Sequence, residues 1–185
     1  MREVHVCRLL PLLLLLVLAA GMVWARGFLV QRVSTHLEQG VYRLDADIEY
    51  GLSEANLEAM RNGVPITVEL EMEVRRRRDW LWDVTEASLR QRYRLEYHAL
   101  SGQYLVSNLN SGERKGFPTL GTATDYLGRI RDFPLLDSSL LEPGGQYYGR
   151  LRVSLDIEAL PAPLRPVAYF SADWRLASDW YRWPL

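Results

Sequence analysis

The sequence predicts a mainly β protein: an antiparallel β-sandwich with two short helices, behind an N-terminal signal or anchor segment. Three observations predict it. Several long runs alternate apolar and polar residues with a period of two. A strand sorts such a run onto two faces, whereas a helix would scatter it around its circumference. Stretches with helical spacing are few and short. No regular alternation of strand and helix calls for the crossovers of a parallel sheet.

The chain has 185 residues, enough for one domain and few for two. At 48% hydrophobic and 24% charged, its composition is that of a globular protein. A net charge of −1 provides no global field to hold a polyanion, so nucleic acid is not an expected partner, and without a P-loop or a G-x-G-x-x-G no nucleotide is expected either. Residues 1–26 read as a signal peptide or membrane anchor. Arg2 and Arg8 make a positive start, Leu9 to Ala20 is nearly pure leucine, and Val23-Trp24-Ala25 has the small residues of a cleavage site. Read as an uncleaved anchor, Leu9 to Ala25 sits at the lower edge of the roughly 17–25 residues needed to span. In both readings residues 27–185 form one exported domain, either periplasmic or held to the outer face of the inner membrane by residues 9–25. Cys7, the sole cysteine, falls in the leader. The exported body therefore has no disulfide, thiol nucleophile or thiolate ligand.

Along the body, Phe28 to Leu37 predicts a first strand with Leu29, Val33 and Leu37 on one parity. Val41 to Tyr50 predicts a second, with Tyr42, Leu44, Ala46, Ile48 and Tyr50 opposite Arg43, Asp45, Asp47 and Glu49. Ser53 caps a short helix through Arg61 that Gly63 closes. The strongest strand follows. Ile66, Val68, Leu70, Met72 and Val74 alternate with Thr67, Glu69, Glu71, Glu73 and Arg75 before the run Arg75 to Arg78 and Trp80-Leu81-Trp82. Pairing it with Leu89 to Leu100 sets Met72 opposite Tyr93 and Leu70 opposite Leu95. The same register sets Glu71 opposite Arg94 and Glu73 opposite Arg92, and leaves Arg75 opposite Arg90 as a misfit.

Beyond it, Ser101-Gly102 turns the chain into Gln103 to Leu109. Thr119 caps a second helix to about Arg131, with Leu120, Ala123, Leu127 and Ile130 at helical spacing. Asp132 to Gly145 reads as a surface connection, Gln146 to Ala159 as a long strand, and Leu160 to Pro166 as a rigid extended connector. A last strand, Ser171 to Trp183, carries Trp174, Leu176 and Trp180. Its terminal aromatics, Trp180, Tyr181 and Trp183, are expected to latch onto the core rather than dock on a membrane.

Certain local motifs add a resemblance. They are Tyr50-Gly-Leu-Ser53, Asn62-Gly63-Val64-Pro65, Trp80-Leu-Trp-Asp83, and Leu95-Glu-Tyr97-His98 followed by Gln103-Tyr104. Leu155-Asp156, Leu160-Pro-Ala-Pro-Leu164-Arg165 and Trp174-Arg-Leu176-Ala-Ser178-Asp-Trp180 complete the set. In order and spacing they resemble the family described as the domain of unknown function numbered 4390, found in bacterial envelope proteins. The similarity covers essentially the whole body. Where that family often has adjacent tryptophans, Leu81 separates them here. The resemblance implies export and a single domain, and it brings no established activity.

Chemistry-bearing patterns are sparse. His36 and His98, the histidines of the body, are far apart in sequence, and neither has a histidine or acid at a helical ligand spacing. Asp45, Asp47 and Glu49 share one strand face, but a cation site usually needs a loop that wraps the ion. No metal or other cofactor is expected. There is no G-x-S-x-G elbow, P-loop or G-x-G-x-x-G, and nothing selects a pair of carboxylates for glycoside cleavage. What stands out is Arg76, Arg78, Trp80 and Trp82 at a hairpin tip, the mixture of guanidinium and indole enriched in binding hot spots. The plainer reading is a strand end whose arginines pair with Glu73 or Asp79. The sequence thus supports a non-catalytic exported binding or accessory module for another envelope component, with those four residues as candidate interaction surface. The partner is expected to be an envelope protein or a membrane surface. The alternative is a carrier of an apolar or lipidic ligand between the sheets, and ranked below it an uncharacterised hydrolase. A carrier needs an elongated apolar cavity, a hydrolase a cleft with convergent titratable groups, and a module an exposed aromatic–arginine patch.

Overall fold

The computed structural model describes residues 27–78, 80 and 82–185, so the expected leader lies outside the described residues. Two antiparallel sheets form the fold. Strands β1 (Phe28–Glu38), β2 (Val41–Tyr50) and β7 (Arg129–Asp137) make a three-stranded sheet in the order β1-β2-β7. The six-stranded sheet has β3 (Ile66–Arg76), β4 (Val84–His98), β5 (Gln103–Asn108), β6 (Arg114–Phe117), β8 (Tyr147–Leu155) and β9 (Tyr181–Pro184). Its order is β6-β5-β4-β3-β8-β9. Among the described residues no helix is long and apolar enough to cross a membrane.

β3 is central, flanked by β4 and β8, which is why its alternation is so clean. Ile66, Val68, Leu70, Met72 and Val74 are at most 2% exposed. Burying each such side chain is worth roughly 1.5–3 kcal/mol. The opposite sheet answers with Phe28, Val30, Val33, Leu44, Ala46 and Ile48. The other parity of β3 faces outward into charge. Glu69 lies between Arg92 and Ser154, Glu71 between Arg90 and Arg152, and Glu73 between Ser88 and Arg150.

That register corrects the expected one. Met72 pairs with Leu89 rather than Tyr93, and Leu70 with Gln91 rather than Leu95. The displacement along β4 is even, so every side chain keeps its face. Arginines recur at every second position of β4 (Arg90, Arg92, Arg94), so the charge pattern alone fits more than one register. Arg90, the expected misfit, is the partner of Glu71.

Other departures have local causes. In β1 a bulge between Val30 and Arg32 switches parity, so Phe28, Val30 and Val33 are buried while Leu29 and Leu37 are exposed. The first helix, α1 (Glu54–Arg61), is closed by a reciprocal cap: Ser53 Oγ accepts from the Asn56 N–H and the Asn56 side chain from the Ser53 N–H. The second, α2 (Leu120–Gly128), ends earlier than its periodicity suggests. A Cβ on Gly128 would lie 2.2 Å from the Ile48 carbonyl oxygen, so the helix end abuts β2, and the chain then pairs with β2 as β7.

β7 takes up the first part of the expected surface connection, as far as Asp137. Two register shifts against β2, Asp132 at φ +54°, and Pro134 erase its alternation, and Leu135 and Leu136 are both buried. An edge strand tolerates all of these. The proline-rich stretch after β8 forms short 3-10 turns and a third helix, α3 (Arg165–Phe170), rather than an extended connector. Prolines in a first helical turn lose no hydrogen bond. The expected last strand is mostly an irregular arm. Ser178 Oγ accepts from the Val153 N–H and 3.0 Å separates them, so pairing with β8 is limited there to the Ser154–Ala177 bridge. Regular pairing resumes only in β9.

The arm does latch. Trp174 and Trp183 are buried, and Trp180 lies under the Arg150 guanidinium at 4.1 Å. Trp183 covers Gly149, where a Cβ would meet the indole at 2.2 Å. Gly149→Ala should therefore destabilise the fold by roughly 1–3 kcal/mol in urea denaturation, since overpacking of this kind forces the ring aside. Gly121→Ala, in α2 with open space around it, should be neutral to slightly stabilising.

Candidate functional site

The candidate surface is built where the β3–β4 ladder stops. β3 ends at Arg76 and β4 begins at Val84, so among the described residues Arg77, Arg78, Trp80, Trp82 and Asp83 stand beyond the paired strands. The base of this hairpin is firmly held. Arg77 N–H donates to Gln146 O at 2.9 Å, and Arg75 Nη2 donates to Asp83 O at 2.8 Å. The Tyr148 hydroxyl donates to Asp83 Oδ2 at 2.7 Å, and the Arg78 N–H reaches Oδ1 of the same carboxylate at 3.4 Å. The Tyr148 hydrogen bond is the main cause that draws the Asp83 carboxyl below its ordinary value of 3.8. The Arg78 N–H and the charges of Arg75 and Arg77 help, against a smaller desolvation cost. Tyr148 is raised, first by desolvation and then by that bond.

The four residues singled out by sequence do not act as one set. Arg76 is drawn back into the fold, its Nε 2.8 Å from Glu86 and its Nη1 bound to Glu142, with 19% of its side chain exposed. It is a strap between the hairpin and the 138–146 connection. Arg78, Trp80 and Trp82 remain outside, and the two indoles are 96% and 93% exposed. Such exposure of one large indole is uncommon, and two at one tip form an apolar patch on an otherwise polar end.

Sequence reasoning missed what lies beneath them. An open cleft of about 350 Å³ is lined by Arg77, Asp83, Gln146, Tyr148, Arg182 and Trp183, among others. Arg182 lays its guanidinium over the Tyr148 ring at 5.9 Å. Arg182 arrives from β9, at the other end of the chain from the hairpin, and only the β3-β8-β9 order brings it there. No local signal could have shown it.

A second convergence also escaped the sequence. His36, Glu38 and Asp132 bring potential ligand atoms within 4.8 Å of one another, all on exposed residues. Asp132 comes from β7, which the sequence hid. Arg43 stands between them, 3.0 Å from Glu38 and 3.2 Å from Asp132, so these carboxylates already have a cation. Of the acidic face on β2, Asp47 is held by Arg32 and Arg131, which keep its carboxyl below the usual range. Glu49 accepts from Gln31, and Asp45 from the Asp132 N–H. The face is a solvated cross-strand network.

Fold and tip together define a class: a two-sheet antiparallel protein that raises an aromatic and arginine hairpin above its central strand. The family model described as Domain of unknown function (DUF4390) matches residues 25–184, and the chain belongs to that family. No curated protein and no solved structure matches it.

The Asp83 clasp has a sign that can be checked. Because its folded pKa is depressed, its contribution is complete above the ordinary carboxylate value of 3.8 and is lost as pH falls through the folded value. Thermal melts across pH should show wild type above Asp83→Asn near neutrality, with the gap closing below about pH 4. A gap that persists into strong acid would place the contribution elsewhere.

Proposed function

We propose that this protein is a non-catalytic binding or accessory module of the cell envelope, exported by its N-terminal segment, with the 77–83 hairpin tip as its contact surface. The observation that carries this reading is the exposure of Trp80 and Trp82 on a clamped base. Water-exposed indoles are costly to leave unpaired, and a rigid base lowers the entropy lost when they dock. Trp and Arg are the residues that most often dominate binding energy. Arg78 belongs to the surface, whereas Arg76 belongs to its support.

The packed interior argues for a module over a carrier. Leu44, Ile66, Leu70, Met72, Val74, Leu151 and Val153 fill the space between the sheets, each less than 2% exposed. The roomier depressions, of about 460 and 480 Å³, are surface grooves bordered by β1 and the C-terminal arm and by β2 and α2.

Crosslinking in intact envelopes, followed by recovery of the protein, tests the reading. Trp80→Ser with Trp82→Ser should cut partner recovery by about tenfold or more while leaving the melting temperature unchanged, because neither ring packs on the core. Unchanged recovery would show that the partner, if one is found, sits elsewhere.

A further inference from the structure

The cleft under the tip has a chemistry of its own. Its walls carry two guanidinium groups, Arg77 and Arg182, neither in a salt bridge among the described residues. Among the described residues the nearby acids have partners of their own: Asp83 has Tyr148 and the Arg78 N–H, and Glu86 and Glu142 have Arg76. Gln146 and Tyr148 add polar groups to the same cleft. A planar guanidinium offers paired N–H donors that match a carboxylate bidentately, and the two of them outnumber the one carboxylate, Asp83, that lines the same cleft.

The position of the cleft bears on which anion reaches it. Ser138 N–H donates to Gly40 O at 2.8 Å, and a few residues on, Glu142 pairs with Arg76. The β1–β2 turn therefore lies at the same end of the sandwich as the tip. β1 begins at the far end of its eleven residues, where Phe28 meets Tyr50 at 5.2 Å. Eleven strand residues span roughly 35 Å. The chain thus enters the domain at the pole away from Trp80 and Trp82. A domain held through residues 1–26 would turn its tip away from the membrane that holds it.

We infer that the Arg77–Arg182 cleft receives carboxylate side chains from an acidic peptide segment of a partner protein, while Trp80 and Trp82 cover the adjoining apolar residues. This rests on the reading of the tip as a contact surface, and it names the partner's chemistry. Arg77 and Arg182 set the preference for acid, and the two indoles supply the larger share of apolar contact.

A random-peptide display library selected on the full-length chain provides the test, with Arg77→Glu plus Arg182→Glu and, separately, Trp80→Ser plus Trp82→Ser as variants. Arg182→Gln replaces the charge reversal if the double glutamate variant fails to fold. Peptides enriched in Asp and Glu are expected on the wild type. Their affinity should fall about tenfold or more on the arginine variant, the scale on which one charged pair registers. Selection without acidic enrichment, or equal affinity for the arginine variant, overturns the proposal. So does sedimentation with phosphatidylglycerol but not phosphatidylcholine vesicles, lost in the arginine variant, when no acidic peptide is selected. Loss of envelope crosslinking in the tryptophan variant without any acidic selection would leave the tip reading standing and remove the cleft. Acidic peptides that depend on the arginines and ignore the tryptophans would keep the cleft and remove the tip.

Discussion

Everything in this structure depends on β3 being buried on one face and bridged by charge on the other. Its apolar parity packs against β1 and β2, and its acidic parity is enclosed by arginines from both neighbours. The Glu73–Arg150 pair is the tightest of these, with both Nε and Nη2 reaching one carboxylate oxygen at 2.8 and 2.7 Å and both side chains 18% exposed. Arg92 turns to Asp156 at 2.6 Å, which ties β4 across β3 to the end of β8. Single exposed pairs contribute little to stability. A ladder of half-buried ones in three adjacent strands fixes which face each strand turns outward, because a one-residue slip would set glutamate against apolar neighbours.

Alignment in turn makes the tip. With Arg76 opposite Val84, the β3–β4 ladder ends there, and among the described residues Arg78, Trp80 and Trp82 lie outside both strands. The same alignment sets Tyr147 and Tyr148 of β8 beside Arg76 and Arg75, so that the Tyr148 hydroxyl reaches Asp83 and closes the hairpin base. β9 then pairs Pro184 with Tyr148 and places Arg182 at the cleft. A surface that looks like an accident of a terminal loop is thus positioned by the core register of three strands.

Much of the fold was legible in the sequence, and the reasons differ by element. Period-two alternation revealed β2, β3 and β8 because each is half-buried along its whole length. Ser53 and Thr119 announced their helices because a side-chain oxygen at the N-cap meets orphan N–H groups. β7 was illegible: bulges, a positive φ at Asp132 and Pro134 leave no pattern, and the strand exists because β2 offers an edge. The exact β3–β4 register was illegible too, since Arg90, Arg92 and Arg94 repeat with the period of the strand itself. Of the candidate surface, the exposed indoles were readable as an unusual pairing beyond a strand end. The pairing of Arg76 was illegible because its acids, Glu86 and Glu142, come from separate elements. Arg182 could not be found at all without the sheet order.

The central claim is that the charge-bridged register of β3 ends the β3–β4 ladder at Arg76 and Val84 and leaves Arg78, Trp80 and Trp82 outside it. Nuclear Overhauser effects between the backbones of β3 and β4 test it most directly. The structure predicts contacts from Glu71 to Arg90 and from Glu69 to Arg92. Contacts from Glu71 to Arg94 and from Glu73 to Arg92 would instead carry the ladder into the tip, and would contradict it.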